Sequence, residues 1–247
     1  MSRSKTKLPV FKYDKAIKRA LVVVAHPDDI DFGSAGTVAT LTRHGVDVAY
    51  CLVTSGDAGG DGSTLSKAER AAVREAEQTA AAAEVGVTNL TFLRLPDGEV
   101  EPTLDLRRQI SRVIRIHKPD LVITQSPERN WERIHASHPD HLAAGEATMR
   151  AVYPDARNPH AFPELLGEGL APHTVWVVWL ASQQPSMVVD ITKSFDAKLV
   201  ALTKHESQVG HRDDLEKMMR TWARTTAKNA GLGKGRLAEG FRVVSTI

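Results

Sequence analysis

The chain predicts an α/β protein: a Rossmann-like open sheet, mostly parallel and flanked by helices, with an irregular C-terminal half. Three observations predict it. Short apolar runs alternate with helix-length segments through the first half of the sequence. The first of these runs, Leu21–Val24, is short and apolar throughout, as a buried strand is. The length, 247 residues with 42% hydrophobic content, is enough for one sizeable core.

The first 19 residues carry Arg3, Lys5, Lys7, Lys12, Lys15, Lys18 and Arg19 against Asp14. Residues 1–18 are expected to be a basic, solvated and flexible tail rather than a polyanion-binding arm. Residues 19–247 are expected to form one domain, with neither a clear linker nor an internal repeat. Leu21–Val24 is the first strand, stopped by Pro27. Gly33–His44 reads as a helix ending at Gly45, and Val46–Thr54 as the second strand. Ser66 and Glu69 have the spacing of a capping box ahead of a long Ala/Glu/Arg run to Val85, closed by Gly86. Leu90–Leu95 is the third strand. Leu104, Leu106, Ile110, Val113 and Ile114 mark an amphipathic helix over Leu104–His117. Leu121–Gln125 is the fourth strand and His138–Val152 a further helix.

Beyond that the pattern loosens. Tyr153–His173 contains four prolines and reads as a long ordered loop, a kind of segment that is often functional. Val175–Ala181 and Met187–Ile191 are strand-like. Helices are expected from Ile191 through about His205 and over Asp213–Ala227, with a last strand at Phe241–Thr246.

Net charge is only +2, so no global field suggests nucleic acid as a partner. No stretch reaches the roughly 20 apolar residues of a membrane span. The basic N-terminus lacks the apolar segment of a secretory signal. Cys51 is the single cysteine, which excludes an internal disulfide. These features fit a cytoplasmic protein; oligomeric state is not readable.

Parallel α/β sheets bind ligands beyond the carboxyl ends of their strands. Four segments converge on that rim: His26–Asp29, Thr54–Gly60, Pro96–Gly98 and Ser126–Asn130. The first is Ala25-His26-Pro27-Asp28-Asp29, an imidazole and two carboxylates that are costly to bury unpaired. A second cluster answers it: His135, His138, Pro139, Asp140 and His141. A catalytic zinc site typically has three protein ligands and an open position. His26, Asp29 and His141 would make such a set, and Fe(II) or another divalent cation suits the same donors. Asp28 is then left free as a general base. His138 is left to hold an oxyanion or protonate a leaving group. Taken singly, either aspartate could instead cap the following helix, and His138 could be a surface histidine.

Ala25-His26-Pro27-Asp28-Asp29, with Gly33 and Gly36-Thr37 behind it, resembles the first signature of the LmbE-like, or PIG-L, family of N-acetylglucosaminyl deacetylases. His138-Pro139-Asp140-His141 resembles the second. Supporting stretches are Thr54–Gly59, Arg74-Glu75-Ala76-Glu77, Pro96-Asp97-Gly98, His205-Glu206-Ser207-Gln208 and Ala238-Glu239-Gly240-Phe241. The resemblance spans residues 20 to 245 and implies a zinc-dependent hydrolase removing an N-acyl group, most simply acetyl, from an amino sugar or glycoconjugate. It implies His26, Asp29 and His141 as metal ligands and Asp28 as the base that takes a proton from water. It implies His138 as transition-state stabiliser or acid, and Asp140 as the partner orienting a histidine. Arg74 and Asp97 stand where the family has sugar-contacting residues; a helix-surface arginine and a turn aspartate are the plainer alternatives.

Two positions depart from the pattern. Ile30 stands where the family often has Glu, with Asp31 next. Ala136 stands where mycothiol-pathway members place a tyrosine, which speaks against that substrate. The rivals are an amidase for a larger conjugate, such as a thiol conjugate or antibiotic intermediate, and a non-catalytic sugar- or nucleotide-binding module. Gly56, Gly59, Gly60 and Gly62 form a glycine-rich loop without the Lys-Ser/Thr of a phosphate-binding loop. It reads as an active-site rim or a plain surface loop, and Ser63 and Ser66 have no nucleophile context. Trp131 and His135 are candidate walls of the substrate opening.

Overall fold

The structure, a computed structural model, describes residues 7–60, 64–182 and 184–247, without the side chain of His135. Arg3, Lys5, Gly62, Ser63 and the His135 side chain, all singled out above, lie outside the described residues.

Among the described residues, seven strands form one sheet in the order β3-β2-β1-β4-β5-β7-β6. They are β1 (Arg19–Val24), β2 (Asp47–Thr54), β3 (Asn89–Leu95), β4 (Leu121–Gln125), β5 (Val177–Ala181), β6 (Met187–Asp190) and β7 (Ala238–Ser245). The first five pair in parallel, and β7 lies antiparallel to both β5 and β6. Among the described residues, nine α-helices connect the strands. They are α1 (Asp29–Gly33), α2 (Ala35–Arg43), α3 (Lys67–Glu84), α4 (Leu104–His117), α5 (Pro139–Arg150), α6 (Pro163–Gly167), α7 (Phe195–Thr203), α8 (Glu206–Val209) and α9 (Leu215–Asn229).

The pleat of β1 explains the layers. Ala20, Val22 and Val24 face one core with residues of α1, α2, α3, α7 and α9. Leu21, Val23 and Ala25 face the other, under Leu106, Ile110, Val113 and Ile114 of α4 and Ala143, Ala144 and Ala147 of α5. Successive side chains of a strand point to opposite faces, so a central strand must be apolar at every position. Each such fully buried side chain contributes roughly 1.5–3 kcal/mol.

The chain leaves β1 outward to β2 and β3, then returns to the other side of β1 as β4. A crevice therefore opens between the carboxyl ends of β1 and β4, where the strand order reverses. His26 follows β1, and the connection after β4 leads to His138 at the N-cap of α5. A side chain at Gly145 would bring its Cβ to 2.4 Å from the Gln125 carbonyl oxygen, so this glycine lets α5 seat against the end of β4.

Two differences from the sequence reading stand out. The expected tail is not free along residues 7–18. Val10 bridges to Val188, Phe11 meets Trp179 edge-on at 4.8 Å, and Ile17 is buried. Apolar residues scattered between the lysines hold this stretch against the sheet. The long 153–173 connection contains α6 and is pinned from beneath by Arg115 of α4. This guanidinium is 0% exposed and donates to the carbonyls of Asp155, Ala156, Asn158 and Ala161. Among the described residues no helix is long and apolar enough to cross a membrane.

Candidate active site

The Ala25 N–H donates to Gln125 Oε1, tying the end of β1 to the end of β4. Past it the chain turns sharply. Asp28 has φ 88° and ψ −28°, a left-handed conformation for a non-glycine residue. Asp29, next in the chain, folds back to accept from the His26 N–H at 2.7 Å.

Three donors then converge. His26 Nδ1 lies 3.2 Å from His141 Nε2 and 3.3 Å from Asp29 Oδ2, and His141 Nε2 lies 3.0 Å from Asp29 Oδ1. Donors held about 2.0–2.1 Å from a tetrahedral ion stand about 3.3–3.4 Å apart. The spacing therefore fits a divalent cation. So does the charge balance, because four carboxylates (Asp28, Asp29, Asp97 and Asp140) crowd this group of imidazoles. His138 is near enough to join a set with His26 and His141, as Asp97 and Asp140 are with the opposite nitrogen of His26.

The two nitrogens of His26 face different company. Nε2 lies 3.0 Å from Asp97 Oδ1 and 3.2 Å from Asp140 Oδ2. Donating that N–H to carboxylates leaves Nδ1 as the lone-pair nitrogen, the tautomer a metal ligand needs. Burial works against a charge on His26, but hydrogen bonds to Asp29 and Asp97 outweigh it and push its pKa up to about 11. Burial would raise the Asp29 carboxyl, yet the His141 charge and hydrogen bonds from both histidines hold it well below the usual range. Asp28 goes the other way: burial first, then the Asp29 charge, push it up to about 7.

Asp140, fully buried in the first turn of α5, also accepts from the Gly98 N–H at 2.7 Å. Asp97 accepts from the Ala58 N–H, and its own N–H donates to Asp57 Oδ1 at 2.9 Å. The loops after β2 and β3 are thereby locked to each other and to His26. Asp57 lies in the family-like Thr54–Gly59 stretch, which gave it no role of its own.

Arg74 and Asp97, expected at a sugar, both make contacts within the protein. Asp97 sits on His26. Arg74 is 3% exposed and donates to the carbonyls of Gly56 (3.0 Å) and Pro27 (2.6 Å) and to Asp28 Oδ2 (3.2 Å). The glycine-rich loop makes room for it, since a Cβ at Gly56 would come within 2.1 Å of the guanidinium. His138 is exposed, and its Nδ1 accepts from the Asp140 N–H at 3.2 Å. That bond leaves Nε2 carrying the proton. Burial, and then the charges of His26 and His141, lower the His138 pKa, which favours this neutral N–H donor. Trp131 is 82% exposed on the connection between β4 and His138.

A family model described as PIG-L, GlcNAc-PI de-N-acetylase, matches residues 21–152. The chain belongs to the PIG-L family. The match takes in both histidine clusters and reaches from β1 to β4, four of the five parallel strands. Diacetylchitobiose deacetylase of Thermococcus kodakarensis is 34% identical over 94% of this chain and 85% of its own length. A probable N-acetyl-alpha-D-glucosaminyl L-malate deacetylase 2 of Bacillus cereus is 32% identical over 77% of this chain and 84% of its own. Among solved structures, N,N'-diacetylchitobiose deacetylase from Pyrococcus horikoshii, complexed with an inhibitor, superposes with a TM-score of 0.84. It is 31% identical over 94% of this chain and 85% of that one. The α/β fold and the deacetylase membership expected from the sequence are thus both found.

Proposed function

We propose that this PIG-L family chain is a metal-dependent N-deacetylase that hydrolyses the acetamide of an N-acetylglucosamine-containing small molecule. One observation carries the reading: His26 Nδ1, His141 Nε2 and the Asp29 carboxylate stand 3.0–3.3 Å apart, with the Asp28 carboxyl beside them and outside the set. His26, Asp29 and His141 would hold a divalent cation, zinc being the first choice for two imidazoles and a carboxylate. When bound, the cation supplies Lewis acidity to the amide carbonyl and to the attacking water.

The residues of the chain do the rest. Asp28, held by Arg74, accepts the proton of the attacking water, and a carboxyl with a pKa of about 7 suits that exchange near neutrality. His138 presents its Nε2–H to the developing oxyanion, and the proton taken up by Asp28 passes to the departing amine, which restores the carboxylate. Asp97 and Asp140 keep His26 oriented by accepting from Nε2. The products are acetate and a free amine. The two relatives named for glucosaminyl substrates support an amino sugar over an antibiotic-like conjugate. A cytoplasmic setting fits the lone Cys51, whose thiol burial pushes up to about 12.

The test is acetate release from N,N'-diacetylchitobiose. Chelation should abolish it and a divalent cation restore it. Asp28→Asn should keep the metal and lose roughly 100- to 10,000-fold in kcat, the usual contribution of a general base. Full turnover by metal-free protein would overturn the proposal.

A further inference from the structure

We propose that Gln78, backed by Asp31 and His205, is a positioning residue that holds the Asp28 backbone in its left-handed turn. The inference rests on the reading of Asp28 as proton acceptor. Such a conformation is costly for a non-glycine residue and persists only where its surroundings over-determine it. Those surroundings form a short chain of buried hydrogen bonds. The Asp28 N–H donates to Gln78 Oε1 at 2.9 Å. Gln78 Nε2 donates to Asp31 Oδ2 at 2.9 Å. His205 Nε2 donates to the same oxygen at 2.8 Å. Gln78, Asp31 and His205 are each 0% exposed.

The direction of each bond is forced. A backbone N–H can only donate, so the Gln78 oxygen must face Asp28 and its NH2 must face Asp31. Asp31, an acceptor on both oxygens when ionised, keeps the amide from flipping, and His205 keeps Asp31 in place. Arg74 lies one turn before Gln78 on α3 and grips the same residue from its carboxylate side. One helix face therefore sets both the backbone and the side chain of Asp28. Gln78, Asp31 and His205 make no contact with the His26, Asp29 or His141 donor atoms in this chain of bonds, so the device bears first on Asp28.

Gln78→Met keeps the length of the side chain and removes both hydrogen bonds. We expect kcat for N,N'-diacetylchitobiose to fall about 10- to 100-fold, the effect typical of losing an orienting partner. KM should change less than about threefold, and metal content by elemental analysis should stay at the wild-type value. Hydrogen exchange in a peptide covering residues 25–33 should speed up, a readout that needs no substrate. His205→Phe should repeat the kcat loss, and His205→Gln, which can place an N–H near the position of Nε2, should recover most of it. Unchanged kcat and exchange in Gln78→Met would overturn the proposal. So would equal losses in His205→Phe and His205→Gln at equal thermal stability. If the wild-type protein releases no acetate, the functional reading fails instead, and the exchange experiment still decides the Gln78 contact.

Discussion

Two buried arginines, Arg74 and Arg115, perform the same local task with different outcomes. Each sits on a helix of the first half and reaches into a non-repetitive stretch to collect carbonyl oxygens. Arg115 collects four, from Asp155, Ala156, Asn158 and Ala161. Arg74 collects two, from Pro27 and Gly56, and adds one oxygen of Asp28. Arg115 lies under α6 and the connection that follows α5, away from the crevice. Arg74 lies at the carboxyl end of β1, where the strand order reverses. The difference teaches that a buried guanidinium is a general loop clamp. It becomes part of a site when one of its partners is a reactive carboxylate and the clamp faces the open end of the sheet.

The largest way to break this contrast is Arg74→Met. Misplacing Asp28 by about 1 Å should cost on the order of 100-fold in kcat. Arg74→Lys should rescue little, since an ammonium cannot span two carbonyls and a carboxylate at once. Steady-state kinetics with metal content measured alongside would check both. Arg115→Met should do the reverse. Leaving buried carbonyls without their donor should cost about 3 kcal/mol. For a chain of this length that lowers Tm by roughly 6–12 °C, while kcat per folded molecule stays near wild type. If Arg115→Met instead abolished turnover, the 153–173 connection would belong to the site. The smallest effect should come from Asp155→Asn. It weakens the paired bonds from Arg107, both 2.9 Å, and should cost about 1 kcal/mol in thermal melting.

Much of this arrangement is legible in the amino acids alone. The observed bounds of α4 and β4 match the expected Leu104–His117 and Leu121–Gln125. The Ser66–Glu69 capping box forms in both directions. Periodicity and capping are local, so sequence carries them. The order of the last strands was not legible: β7 inserts antiparallel between β5 and β6, and nothing local encodes which neighbour a strand finds. The inward turn of Arg74 left a trace that was easy to miss. Arg74, Gln78, Ala81 and Ala82 are the buried positions of α3, one stripe at helical spacing. Two polar residues on an otherwise alanine stripe call for buried partners, but those partners, Asp28 and Asp31, are distant in sequence.

Sequence by itself determined that this is an α/β protein with two histidine–aspartate clusters at strand ends, because strand runs and motif spacing are properties of neighbouring residues. Tertiary structure alone decided that His26 divides its two nitrogens between a donor triad and a carboxylate pair. It alone decided that Arg74 and Gln78 both reach Asp28. The physical reason is that a buried polar group takes its role from whichever partner folding delivers within about 3 Å, and these partners come from as far apart in the chain as β1 and α5.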